Sequence, residues 1–139
     1  MKKIFDEVSE KCSEITTKRY STSFSLGIKL LDKNIHKPIY SIYGFVRVAD
    51  EIVDSFHDYN KKELLQQFRN ETQEAIKNKI SLNPILNSFQ NVVNQFNIEW
   101  EHIEHFLNSM ENDLDKKEHD EKSYKSVSYT HLRAHETRP

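Results

Sequence analysis

Apolar side chains recur at intervals of three and four along nearly all of this 139-residue chain, and that period constrains its fold more than any other feature. Ile4, Phe5, Val8, Cys12 and Ile15 carry it between Lys2 and Tyr20, and Leu64, Leu65, Phe68, Ala75 and Ile76 from Lys61 to about Lys79. Ile85, Leu86, Phe89, Val92, Val93 and Phe96 follow Asn83-Pro84, a helix cap and first residue, and are expected to face inward. Trp100, Ile103, Phe106, Leu107, Met110 and Leu114 repeat the spacing from about Glu99 to Leu114. No repeat and no strand pair is found. Two glycines and three prolines leave little material for sheets joined by tight turns. The expected fold is all-α, about six helices in one domain.

The breaks agree with this. Ser21-Thr22-Ser23 interrupts the first helix, a short second helix fits Ser23 to Leu31, and Asp32-Lys33-Asn34 supplies a turn. A long third helix then starts near Pro38.

The chain has 20 basic and 22 acidic residues, a net charge of −2, spread along its length. Such a balance offers no electrostatic footprint for nucleic acid. The single Cys12 cannot form an internal disulfide, and the first twenty residues contain no apolar run of the signal-peptide kind, so a cytoplasmic location is expected. No stretch is long and apolar enough to span a bilayer, and peripheral contact with a membrane that supplies greasy substrates stays open. Oligomeric state stays open as well.

The third helix carries the chemistry. At 100° per residue from Tyr43, Arg47 falls at about 40°, Asp50 at about −20° and Asp54 at about 20°, one narrow polar stripe. Ile42, Phe45, Val46, Ala49, Ile52, Val53 and Phe56 fill the adjoining arc, the face a bundle helix buries, while Glu51 and Asp58 point toward solvent. Aspartates four apart on a helix commonly mark only a solvated edge. Here they border a core, where two ionised carboxylates repel and lose hydration unless cations compensate. Mg²⁺, or Mn²⁺ in its place, binds through one or two carboxylates plus phosphate oxygens, and Arg47 suits the remaining phosphate oxygens. The residues lead to a metal-assisted phosphate site, and periodicity goes no further.

The string IYSIYGFVRVADEIVD, Ile39 to Asp54, resembles the first aspartate-rich signature of the squalene/phytoene synthase family, in which an aromatic-rich helix leads through Arg to a D-x-x-x-D pair. YSTSFSLGIKLL, Tyr20 to Leu31, is similar to that family's segment around a Ser-Phe pair, at the right interval. SMENDLDKK resembles the helix in which Met precedes Asp-Leu and places Asp113 toward the cavity. The resemblance covers about residues 10 to 126. It implies an isoprenoid-synthase-type helical bundle in which two prenyl diphosphates, farnesyl or geranylgeranyl, join head to head with loss of diphosphate. In the roles it implies, Asp50 and Asp54 hold the metal, Arg47 and Ser23 bind diphosphate oxygens, and Tyr43 and Phe24 line the cavity near the allylic cation. A phytoene-type product needs only proton loss, whereas a squalene-type product uses NADPH. Relatives commonly carry basic or His residues where this chain has Tyr20 and Thr22. The family's second aspartate-rich motif has no counterpart here, so residues 1–126 are expected to be an amino-terminal, incomplete and inactive part of such a domain.

From about Val127 the text loses apolar periodicity. YTHLRAHET resembles translated adaptor or vector sequence, and residues 127–139 are expected to be a foreign or disordered tail whose His131 and His135 have no function. His102 and His105 fall on the solvent side, the charged Asp115 to Lys122 run is expected to be a solvated loop, and Cys12 a small buried residue. The alternative function is a non-catalytic helical assembly protein that keeps the synthase fold. Retention of Arg47, Asp50 and Asp54 argues against it.

Overall fold

Side-chain caps fix three helix starts. Ser21 accepts from the Phe24 amide, Asn60 from that of Glu63, and Asn83 from those of Ile85 and Leu86, with Pro84 at the first helical position. Two helices end on residues in the left-handed region, Lys79 (φ 60°) and Asn97 (φ 54°). The computed structural model describes residues 2–131, with side chains to residue 118. In order the elements are α1 (Lys2–Tyr20), α2 (Thr22–Ile28), a 3₁₀ turn (Lys33–Ile35), α3 (His36–Asp54), α4 (Lys61–Asn78), α5 (Pro84–Phe96) and α6 (Trp100–His131). The fold is all-α, with no strand among the described residues. No described helix is long and apolar enough to cross a membrane.

Helix α3 is the hub, packed by α1, α4, α5 and α6. Its Phe45 stacks on Phe89 of α5 (3.9 Å between centroids) and Phe68 of α4 (5.1 Å), and meets Phe106 of α6 at 5.8 Å. Leu65, Leu86, Val93, Ile103, Leu107 and Leu114 close the core around this aromatic cluster. Burying one such leucine contributes about 2 kcal/mol.

Helix α1 packs differently from its apolar pattern. It buries Ser9, Ser13 and Thr17, while Ile4 (56%), Val8 (50%) and Ile15 (58%) lie exposed. The Ser9 and Thr17 hydroxyls donate to the carbonyls of Phe5 and Ser13, so small polar residues are buried with those hydroxyls satisfied. The small face lets backbones approach: a Cβ on Gly44 of α3 would lie 3.1 Å from Ser13 Oγ. Across α1 and α5, Asn87 donates to Asp6 (2.8 Å) and Ser9 (3.1 Å), and Ser41 of α3 bonds Ser88.

Other expectations are corrected too. Phe96 is exposed where α5 ends, and Ile42 and Phe56 are more than a third exposed, Phe56 lying beyond the end of α3. Cys12 is half-buried. Helix α2 stops at Ile28, and α3 begins two residues before Pro38. Asp115 to Lys122 is helical, because Lys and Glu are good helix formers and no Gly or Pro interrupts them. The expected foreign tail from Val127 overlaps the end of α6, and its residues 132–139 lie outside the described range.

Candidate functional site

The polar stripe of α3 lies beside the core, and α1, α2 and α6 supply its surroundings. Tyr43 is half-buried and stacked on Phe24 of α2, ring centroids 4.8 Å apart and 26° between planes. One turn on, Arg47 is half-buried between Tyr20 of α1, whose ring its guanidinium covers at 4.6 Å, and the acidic residues that follow it. Its Nη2 donates to Glu51 Oε1, and its Nη1 lies 4.0 Å from Asp50 Oδ2. Its Nε is buried with no partner among the described residues.

Glu51 therefore does not point to solvent as expected from its helical angle. It accepts from Arg47, from Tyr20 Oη (3.1 Å) and from Ser55 Oγ (3.1 Å), and the Arg47 bond holds its carboxyl below the usual glutamate range. The i, i+4 spacing of Arg47 and Glu51 was the available signal.

Asp50 has the opposite environment. Burial pushes its carboxyl above the ordinary value, and the charges of Asp54 and Asp113 add to the rise against the pull of Arg47 and Lys117. Asp113 of α6 is exposed, and its charge is the smallest of these influences on Asp50. Asp54, at the last position of α3, is exposed and accepts from Lys117 Nζ of α6. Lys117 was not foreseen, since it lies in the run read as a loop. Ser23, in the first turn of α2, is exposed, and its hydroxyl bonds no described residue.

The structure brings together Phe24 with Tyr43 and Arg47 with Asp50, and sets Asp54 one turn beyond Asp50; it shows no contact from Ser23 or Asp113 to this group. His102 and His105 are exposed, as expected. Among the described residues no group of three or more His, Cys, Asp or Glu side chains converges tightly enough to cage a metal. Two carboxylates one turn apart fit an ion that takes its other ligands from water and phosphate, which is the habit of Mg²⁺. Burial penalises the Asp50 charge, and a cation beside it would offset that penalty, which Arg47 at 4.0 Å does only in part. A polar cavity of about 180 Å³ lies elsewhere, between α1, α3 and α5, lined by Glu10, Lys37, Ser41, Ser88 and Asn91, and it shares no residue with the stripe.

A family profile described as squalene/phytoene synthase matches residues 17–132. That span contains every residue of the stripe together with Phe24, Asp113 and Lys117. No curated protein and no solved structure matches the chain.

Proposed function

The chain belongs to the squalene/phytoene synthase family, and on that premise we propose that its α3 stripe is the metal and diphosphate end of a head-to-head prenyltransferase site. The family's general reaction is condensation of two prenyl diphosphates. The observation that carries the assignment is the shared face of Tyr43, Arg47, Asp50 and Asp54, with Phe24 stacked on Tyr43 and Lys117 reaching Asp54 from α6.

Asp50 and Asp54 would hold Mg²⁺ or Mn²⁺, which when bound supplies charge neutralisation for the departing diphosphate. Arg47 offers guanidinium N–H groups to phosphate oxygens, oriented by Glu51 and by the Tyr20 ring beneath it. Ser23, exposed in the neighbouring helix, adds a hydroxyl donor once an anion lies between α2 and α3. The stacked faces of Phe24 and Tyr43 stabilise an allylic cation by their ring quadrupoles and exclude water from it. Farnesyl and geranylgeranyl diphosphates are the proposed substrates, and a C30 or C40 hydrocarbon of squalene or phytoene type the product. NADPH enters only for the squalene-type outcome.

The α3 stripe carries one acidic pair, Asp50 and Asp54. A diphosphate clamped from both sides needs a second, so the 139-residue chain is expected to bind metal without turnover. The alternative, a helical assembly protein, gives Asp50 no reason to stay beside a core where its charge is penalised.

Calorimetric titration of Mg²⁺ into the chain, with and without inorganic pyrophosphate, tests the site. Binding enhanced by pyrophosphate and lost in Asp50→Asn is expected. Equal heats from wild type and Asp50→Asn would remove the assignment.

A further inference from the structure

Helix α6 sets Asp113 and Lys117 one turn apart, facing the Asp50 and Asp54 turn of α3. Two cations stand in this field, and their commitments differ. Arg47 is half-buried, fixed by Glu51 and by the Tyr20 ring, and cannot leave without orphaning both. Lys117 is 55% exposed, bonds only Asp54 among the described residues, and carries its charge on a flexible four-carbon stem with three donors. The contact it makes among the described residues is with a carboxylate that the proposed metal site requires.

We propose that Lys117 is an exchanging counter-ion: it neutralises Asp54 while no divalent cation is bound, and turns to the diphosphate oxygens when a divalent cation takes Asp54. This rests on Asp50 and Asp54 as metal ligands. The chemistry follows from charge. A carboxylate neutralised by a metal would no longer need the ammonium, and a diphosphate bound there would offer Lys117 acceptor oxygens. The metal and Lys117 compete for one ligand and then cooperate on the next.

The signature is a pair of effects of opposite sign. Exposed ion pairs contribute up to about 1 kcal/mol, about fivefold in an affinity. In Lys117→Ala and Lys117→Gln, Mn²⁺ alone is expected to bind about threefold more tightly than in the wild-type 139-residue chain, read from the free-Mn²⁺ paramagnetic resonance signal. Inorganic pyrophosphate, titrated at saturating Mn²⁺, is expected to bind about fivefold more weakly. The Gln variant keeps the helix propensity of the position, and circular dichroism confirms folding. If both affinities fall, or neither moves, Lys117 is a structural bridge and the proposal is overturned. If wild type itself binds no Mn²⁺, the metal assignment fails first and the exchange falls with it.

Discussion

Arg47 is held by Glu51, one turn further along α3, and stands 4.0 Å from Asp50. The guanidinium is thereby kept from closing on the carboxylate proposed to hold the metal. Glu51→Gln releases it. The variant is expected to lose about 1 to 2 kcal/mol of stability in urea denaturation, because a half-buried Arg47 loses its charged acceptor. Mg²⁺ affinity is expected to fall about threefold as Arg47 moves onto Asp50.

The two carboxylates respond to pH with opposite signs. Glu51 is depressed by the Arg47 bond, so its contribution is present above its ordinary value of 4.5 and lost as pH falls through the lower folded value. Asp50 is raised by burial, so the folded state keeps its proton where the unfolded chain has released it. Its ionisation therefore weakens the fold progressively as pH rises from its ordinary 3.8 through the raised folded value. Asp50→Asn is expected to stabilise the chain at pH 7 by about 0.5 kcal/mol, a figure discounted for a side chain 35% exposed. The gain should vanish in denaturation at pH 3. A variant that is less stable than wild type at pH 7 would show that the charge is already compensated.

The contact of Ser13 with Gly44 is close enough to be tested from both sides. Ser13 Oγ is buried and bonds no described residue, so Ser13→Ala is expected to be neutral or stabilising by about 0.5 to 1 kcal/mol. Gly44→Val instead forces branched atoms toward Ser13, whose Cα is already 3.4 Å from the position of an added Cβ. A loss of about 2 kcal/mol or more is expected in thermal or chemical denaturation.

Asn87 donates to Asp6 and Ser9 from a fully buried position, and its Oδ1 accepts from the Ser81 amide and from Gln90. Asn87→Leu removes the acceptor of the Ser81 amide and takes one partner each from Asp6, Ser9 and Gln90, which keep their bonds to Lys2, Phe5 and Asn91. The expected cost is about 2 to 3 kcal/mol. Hydrogen exchange should show it as earlier opening of the α1 and α5 amides, with α4 and α6 less affected.

The helices, the α5 cap and the α3 stripe could be read from the sequence because each depends on local spacing and local chemistry. Asn83-Pro84 starts α5 wherever the bundle lies, and the angles of Arg47, Asp50 and Asp54 follow from helix geometry. What could not be read depends on which faces meet. The apolar period of α1 argues for burying Ile4, Val8 and Ile15, yet α1 buries the small residues Ser9, Ser13 and Thr17, with Ser13 against Gly44 of α3 and Ser9 against Asn87 of α5. Glu51 was assigned to solvent by its angle alone, and Tyr20 from another helix covers that side. Lys117 was hidden because a charged run reads alike as a loop or as an exposed helix, and only the placement of α6 against α3 shows it reaching Asp54.

Hydrocarbon formation by the complete reading frame that contains this chain tests the central claim most directly. With farnesyl or geranylgeranyl diphosphate and Mg²⁺, a C30 or C40 head-to-head product is expected, reduced at least about a hundredfold by Asp50→Asn with substrate chain-length preference unchanged. Product formed equally by Asp50→Asn, or a prenyl chain elongated head to tail, would contradict the account.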